Sequence, residues 1–113
     1  MSVCDKIIMP AALGTYELHV TQNGQIDTVH GVHSVNGTQV ETWTHADLVG
    51  NSPQTFDVEG TDRHVVQVFA TFNDEDTFDV DLQHGGASVA ECHLSSDGHD
   101  TSTMSILPPL GDQ

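Results

Sequence analysis

Tyr16, Leu18 and Val20 alternate with Glu17, His19 and Thr21, the two-residue period of a strand with one buried face. Asn23-Gly24 reads as a hairpin turn from that strand into a second one, Gln25 to His30. Asn36-Gly37 marks another turn, leading into a strand over Thr38 to Trp43. In between, apolar residues recur every three positions, at Ile26, Val29, Val32 and Val35. That period fits neither strand nor helix, so pairing over residues 26–37 stays open.

The best-specified pattern runs from Arg63 to His84 and predicts a hairpin. With Asp74, Glu75 and Asp76 as a three-residue loop, Phe72 faces Phe78, Ala70 faces Val80 and Val68 faces Leu82. One face is then wholly apolar, whereas a slip of one residue mixes the faces. Further strands are predicted at Thr55 to Glu59, Ala87 to Leu94 and Thr101 to Leu107. One short helix is predicted over Thr44 to Gly50, with Thr44 as cap, Asp47 three residues on and Gly50 as terminator. Thr55-Phe56-Asp57-Val58-Glu59 is echoed by Thr77-Phe78-Asp79-Val80-Asp81, which suggests two equivalent strands.

About eight short strands in 113 residues predict an all-β fold: a single antiparallel β-sandwich, jelly-roll or immunoglobulin-like, or a small barrel. The chain divides into an apolar N-terminal arm (1–14), a β-sandwich domain (15–107) and a Pro-rich C-terminal tail (108–113). Composition agrees: Val and Thr favour strands and Asp favours turns, and Asp far outnumbers Glu.

Charge narrows the function. Seventeen Asp and Glu oppose two cations, Lys6 and Arg63, for a net charge of −15. Two isolated cations cannot neutralise a run of phosphates, which excludes nucleic-acid binding and adhesion to anionic membranes. The longest uncharged apolar run near the N-terminus, Ile7 to Leu13, is far too short to span a bilayer, and Pro10 interrupts it. Cys4 and Cys92 permit one disulfide, too few for a disulfide scaffold, and two thiols in a reducing compartment is the simpler reading. Asn36-Gly37-Thr38 matches a glycosylation acceptor, but its Asn-Gly pair is accounted for as a turn.

Three sets of residues invite a chemical reading. Asp74, Asp76, Asp79 and Asp81 form the densest acidic segment and are the candidate ligands for calcium. They do not make an EF-hand, because Asp79 and Gly85 stand where that loop needs Gly and Glu. His30-Gly31-Val32-His33 gives an H-x-x-H spacing, but the other six histidines are unpaired in sequence, short of a zinc set. Where Lys and Arg are nearly absent, His supplies the polar surface groups and, in acid, positive charge. Cys92 and His93 are adjacent, so on a strand they point to opposite faces and cannot form a thiolate pair. Ser95, Ser96, Asp97, His99 and Asp100 hold triad residue types but read as one turn, and no nucleophile elbow is present. No catalytic set emerges, and a non-enzymatic role is expected.

The two ends are apolar in an otherwise acidic chain. Ile7, Ile8, Met9 and Leu13 at one end, and Met104, Ile106, Leu107 and Leu110 at the other, are the candidate interface residues. They either pack on the chain's own core as edge strands or dock on a neighbouring subunit. In composition, Asp-rich, nearly free of Lys and rich in Thr and Val, the chain resembles proteins of salt-loving archaea and their viruses. High salt screens the self-repulsion of such a charge.

These features favour an assembly protein: a subunit decorating or joining a larger particle such as a virion or a surface layer, at the virion or cell exterior and in high salt. Its partners would be protein subunits, including copies of itself, with no cofactor required. The alternatives are a carbohydrate- or calcium-binding module using Trp43, Tyr16 or the acidic segment, and a DNA mimic. The even spread of acids along the chain does not favour the mimic.

Overall fold

The computed structural model describes residues 2–23, 26–49 and 53–109. In chain order these form β1 (Ser2–Ile8), β2 (Gly14–Asn23), β3 (Ile26–Val35), β4 (Thr38–Trp43), α1 (His45–Leu48), β5 (Gln54–Val58), β6 (His64–His84) and β7 (Ala87–Ile106).

Two long strands, β6 and β7, organise the molecule. They form one antiparallel hairpin closed by Gly85-Gly86, whose φ values of 62° and 81° suit the tight turn that matches strand twist. The hairpin expected over Arg63 to His84 is therefore corrected: β6 runs through the acidic triplet, and its partner is β7, with Val68 opposite Ser102 and Val80 opposite Cys92. Adjacent glycines adopt two positive φ angles without a Cβ clash, and Asp-Glu-Asp does not. The set of inward residues survives the correction. Val66, Val68 and Ala70, and then Phe78, Val80 and Leu82, are all buried.

Between Phe72 and Asp76 the β6–β7 register shifts, and here both strands leave one sheet for the other. Residues 64–72 and 98–106 belong to a five-stranded sheet in the order β1-β7-β6-β3-β4. Residues 76–84 and 87–96 belong to a four-stranded sheet in the order β7-β6-β2-β5. The fold is an all-β sandwich of these two sheets. β2 and β3 pair with successive halves of β6 and not with each other. The hairpin expected at Asn23-Gly24 is thus also corrected to a crossing between sheets; Gly24 and Gln25 lie outside the described residues.

Other local readings match the structure. Asn36 and Gly37, at φ 52° and 84°, close the β3–β4 hairpin with Val35 opposite Thr38. Thr44 and Asp47 form a reciprocal capping box on α1, and Gly50 lies outside the described residues. The echoed segments flank β2 in one sheet, Phe56 opposite Tyr16 and Phe78 opposite Gln22. Residues 2–8 of the expected arm form β1, which runs parallel to β7. At the end of the expected domain, Leu107 bonds back to Ile8 and Ala11 through its backbone, and Pro108 of the expected tail is buried. Among the described residues no helix is long and apolar enough to cross a membrane.

Candidate functional site

Both sheets share β6 and β7, folded back so that each strand contributes to each layer. Beyond β7 the larger sheet adds β1, whereas among the described residues the smaller sheet adds nothing. β1 therefore overhangs the edge formed by residues 87–96. Two of its side chains turn inward: Cys4 is bonded to Cys92 with a Cα separation of 5.9 Å, and Ile8 packs on the core. The expected pair of free thiols is corrected to a disulfide that ties β1 to the edge strand of the opposite sheet. Lys6 is exposed and lines an open depression of about 530 Å³ with Ser88, Val89, Ala90, Glu91 and His93.

The odd-numbered residues of β1 point away from the core. Val3 and Ile7 are 61% and 67% exposed, and beyond the strand Met9 and Leu13 are 71% and 51% exposed. The other apolar end behaves differently: Met104 and Ile106 are fully buried in the chain's own core, Leu107 is half-buried, and Leu110 lies outside the described residues. Of the eight candidate interface residues, then, Ile7, Met9 and Leu13 reach the surface, and Ile8 is partly covered.

The outer face of the smaller sheet carries the acids. Asp79 accepts from His93 Nδ1 at 2.6 Å, and Glu91 lies 3.4 Å from the other ring nitrogen. Hydrogen bonds to these two carboxylates push the His93 pKa up. On β2, His19 meets Glu17 at 3.1 Å. Asp81 accepts from Ser88 and Gln83. Histidine is the partner of carboxylates on this face, across strands in His93–Asp79 and within one strand in His19–Glu17 and His93–Glu91. Of the candidate calcium ligands, Asp79 and Asp81 are engaged in this way, and the side chains of Asp74 and Asp76 lie outside what the structure describes. Among the described residues no group of three or more His, Cys, Asp or Glu side chains is placed to hold a metal. The H-x-x-H pair is split, since His30 is exposed on β3, stacked on Phe69, and His33 is buried.

His33 and His64 form a cluster that sequence reasoning missed. They are 4% and 3% exposed, and His33 Nε2 lies 2.8 Å from His64 Nδ1. Trp43, Phe56 and each other's rings enclose them. His33 Nδ1 donates to Glu41 at 3.3 Å, so its Nε2 must accept and His64 Nδ1 must donate. His64 Nε2 is then a bare acceptor, buried and without a hydrogen-bond partner among the described residues. Burial pushes both pKa values down; the Glu41 carboxylate opposes this at His33, and the neighbouring His33 ring reinforces it at His64. A signal existed: His64 has the phase of Val66, Val68 and Ala70, which marks it as inward.

The two candidate sugar platforms are also inside. Trp43 is 5% and Tyr16 1% exposed; Tyr16 is stacked between Phe56 and His84 and donates its hydroxyl to the Ala12 carbonyl at 2.7 Å. Neither offers a face on which a sugar can stack. Comparison with protein-family models, curated proteins and solved structures finds no match for this chain.

Proposed function

We propose that this chain is a non-enzymatic assembly protein: a small β-sandwich subunit that decorates or joins a larger particle, such as a virion capsid or tail or a surface layer, in high salt. The observation that carries the reading is the exposed apolar run Val3, Ile7, Met9 and Leu13 on and after β1, in a chain of net charge −15. Exposed apolar side chains gathered in one region mark contact surfaces. On β1 itself Val3 and Ile7 flank the exposed charges Asp5 and Lys6, an apolar patch with a polar interruption. The Cys4–Cys92 bond supports an oxidising exterior location, where disulfides persist. A homo-oligomer through the same patch is the simplest form of the assembly.

Size-exclusion chromatography with light scattering in molar salt, together with fractionation of the native source, tests the reading. Oligomers or co-fractionation with a particle, lost in an Ile7→Thr/Met9→Thr variant, are expected. A monomer that fractionates alone, unchanged by that variant, would overturn it.

A further inference from the structure

The two outward faces of the sandwich differ in charge. On the smaller sheet, Glu17, Asp57, Asp79, Asp81 and Glu91 occupy positions that alternate with buried ones and face outward. On the larger sheet, residues 66, 68 and 70 of β6 and 102, 104 and 106 of β7 are buried, so the positions between them face outward. There stand Val65, Gln67 and Phe69, then Thr101 and Thr103, with Val32 alongside on β3. None of these carries charge. Elsewhere in this sheet Asp100 is buried, Glu41 meets His33, and Lys6 lines the depression beside residues 88–93. Asp5, opposite Thr103 on the edge strand β1, is the one charge on the outward face among the described side chains; the side chain of Asp27 lies outside what the structure describes.

We infer that the outward face of the larger sheet is a self-association surface, on which a second copy of this chain packs face to face. The inference rests on the assembly reading and specifies the contact. Two chains of net charge −15 can approach closely only where their acids are absent. A cationic partner would be drawn to the other face, with its five carboxylates; the uncharged face suits a partner as acidic as the chain itself. Polar groups on this face already bond to one another, Gln67 Nε2 donating to Thr103 Oγ1 at 3.5 Å and Thr71 Oγ1 lying 3.2 Å from His99 Nδ1. Groups so paired lose less on leaving water. The face also continues into the exposed Val3 and Ile7, which share its side of β1.

Size and symmetry agree. Five strands about 4.8 Å apart, the longest contributing nine residues (64–72) of about 3.3 Å each, cover roughly 24 by 30 Å. Two such faces bury about 1,200–1,400 Å², at the lower end of stable interfaces. β6 is the middle strand of the five. A two-fold axis along it lays β6 on β6 and β1 over β4 of the other copy, which keeps the two Asp5 carboxylates apart. An axis across the strands would set β1 on β1 and Asp5 on Asp5. The first arrangement is therefore the one expected, and it brings Gln67 against its own counterpart.

Sedimentation velocity and light scattering on the intact, disulfide-bonded chain test this at rising concentration and salt. The parent should form a dimer that tightens as salt screens the net charge. Gln67→Lys and Gln67→Glu should each weaken it at least tenfold, and an equal mixture of the two should recover it, at the lowest salt where the parent dimerises. Gln83→Glu, on the acidic face, should leave it unchanged. A parent that stays monomeric, a dimer indifferent to the Gln67 changes or weakened as much by Gln83→Glu, or a mixture no tighter than its components would overturn the inference. Hydroxyl-radical footprinting of the parent needs no variant to fold: Phe69 and Ile7 should be protected in the dimer and Val89 should not, and the opposite pattern would also overturn it. The two readings fail separately. A monomer that joins a particle removes the self-association face and leaves the assembly role, and a dimer through this face that joins no particle does the reverse.

Discussion

The two lateral edges of the sandwich solve the same problem in opposite ways. At the β4–β5 edge the sheets end level, and α1 carries the chain from one to the other. Trp43 and Phe56 close over the buried histidines there, Leu48 is buried beside them, and Gln54 ties β5 to the Asp47 carbonyl at 2.8 Å. At the β1–β7 edge the sheets end unevenly, a disulfide holds the layers together, and Val3 and Ile7 face outward while Ile8 packs on the core. One edge is finished by packing. The other is fastened covalently and leaves Val3 and Ile7 exposed.

The largest expected effect lies at the fastened edge. The disulfide spans 88 residues of sequence, and a loop of that length corresponds to about 4.6 kcal/mol of denatured-state entropy. A Cys4→Ala/Cys92→Ala variant should lose that much in urea unfolding at matched salt. A loss under about 1 kcal/mol would mean that β1 is held by packing alone, as the level edge is, and the contrast would collapse.

Next comes a test of how tightly the level edge is packed. A Cβ added at Gly31 would sit 2.8 Å from a ring carbon of Trp43 and 3.3 Å from a methyl of Leu48. Gly31→Ala should therefore cost about 1–3 kcal/mol by overpacking. Thermal unfolding checks it, and an unchanged midpoint would show that the Trp43 ring has room to move.

The level edge should also be acid-sensitive. His33 and His64 bind protons less readily in the fold than in the unfolded chain, so below the unfolded value of about 6.5 the unfolded state takes up protons that the fold refuses. Their contribution is complete above that pH and falls as pH drops, by up to about 1.4 kcal/mol per pH unit for each proton. The groups facing them are Glu41, which holds His33, and the Asp62 carboxylate, which acts at longer range on His64. His93 works in the other sense. Its raised pKa gives a contribution present in acid and lost as pH climbs through the folded value. In His64→Phe the pH slope of stability between 6.5 and 5 should be visibly flatter than in the parent; an unchanged slope would place the titrating groups elsewhere.

How much of this was legible depended on whether the signal was local. Turn chemistry at Asn36-Gly37, the Thr44–Asp47 cap, and the alternation that sends Val68, Ala70, Val80 and Leu82 inward are all contained within a few residues. The partner of a strand is not. Phase identified the apolar face of residues 64–84, but only the sheet shows that they form one bent strand paired with β7. The open edge was half legible. Ile7, Met9 and Leu13 stood out as apolar, while Met104 and Ile106 looked the same in sequence and are core, because burial depends on what lies across the sandwich.

The smallest expected change is the one that separates the two edges best. Ile7 and Met9 are each about two-thirds or more exposed, so replacing both with Thr removes little buried area and should leave stability within about 0.5 kcal/mol of the parent. The same replacement removes two of the four exposed side chains that make the patch apolar, so association should fall steeply while unfolding is unaffected. A matching substitution at the level edge, Trp43→Ala, reverses the balance: about 3–5 kcal/mol in stability and no selective effect on association. If Ile7→Thr/Met9→Thr destabilised the monomer by a comparable amount, those side chains would belong to the chain's own core, and the difference between the two edges would disappear.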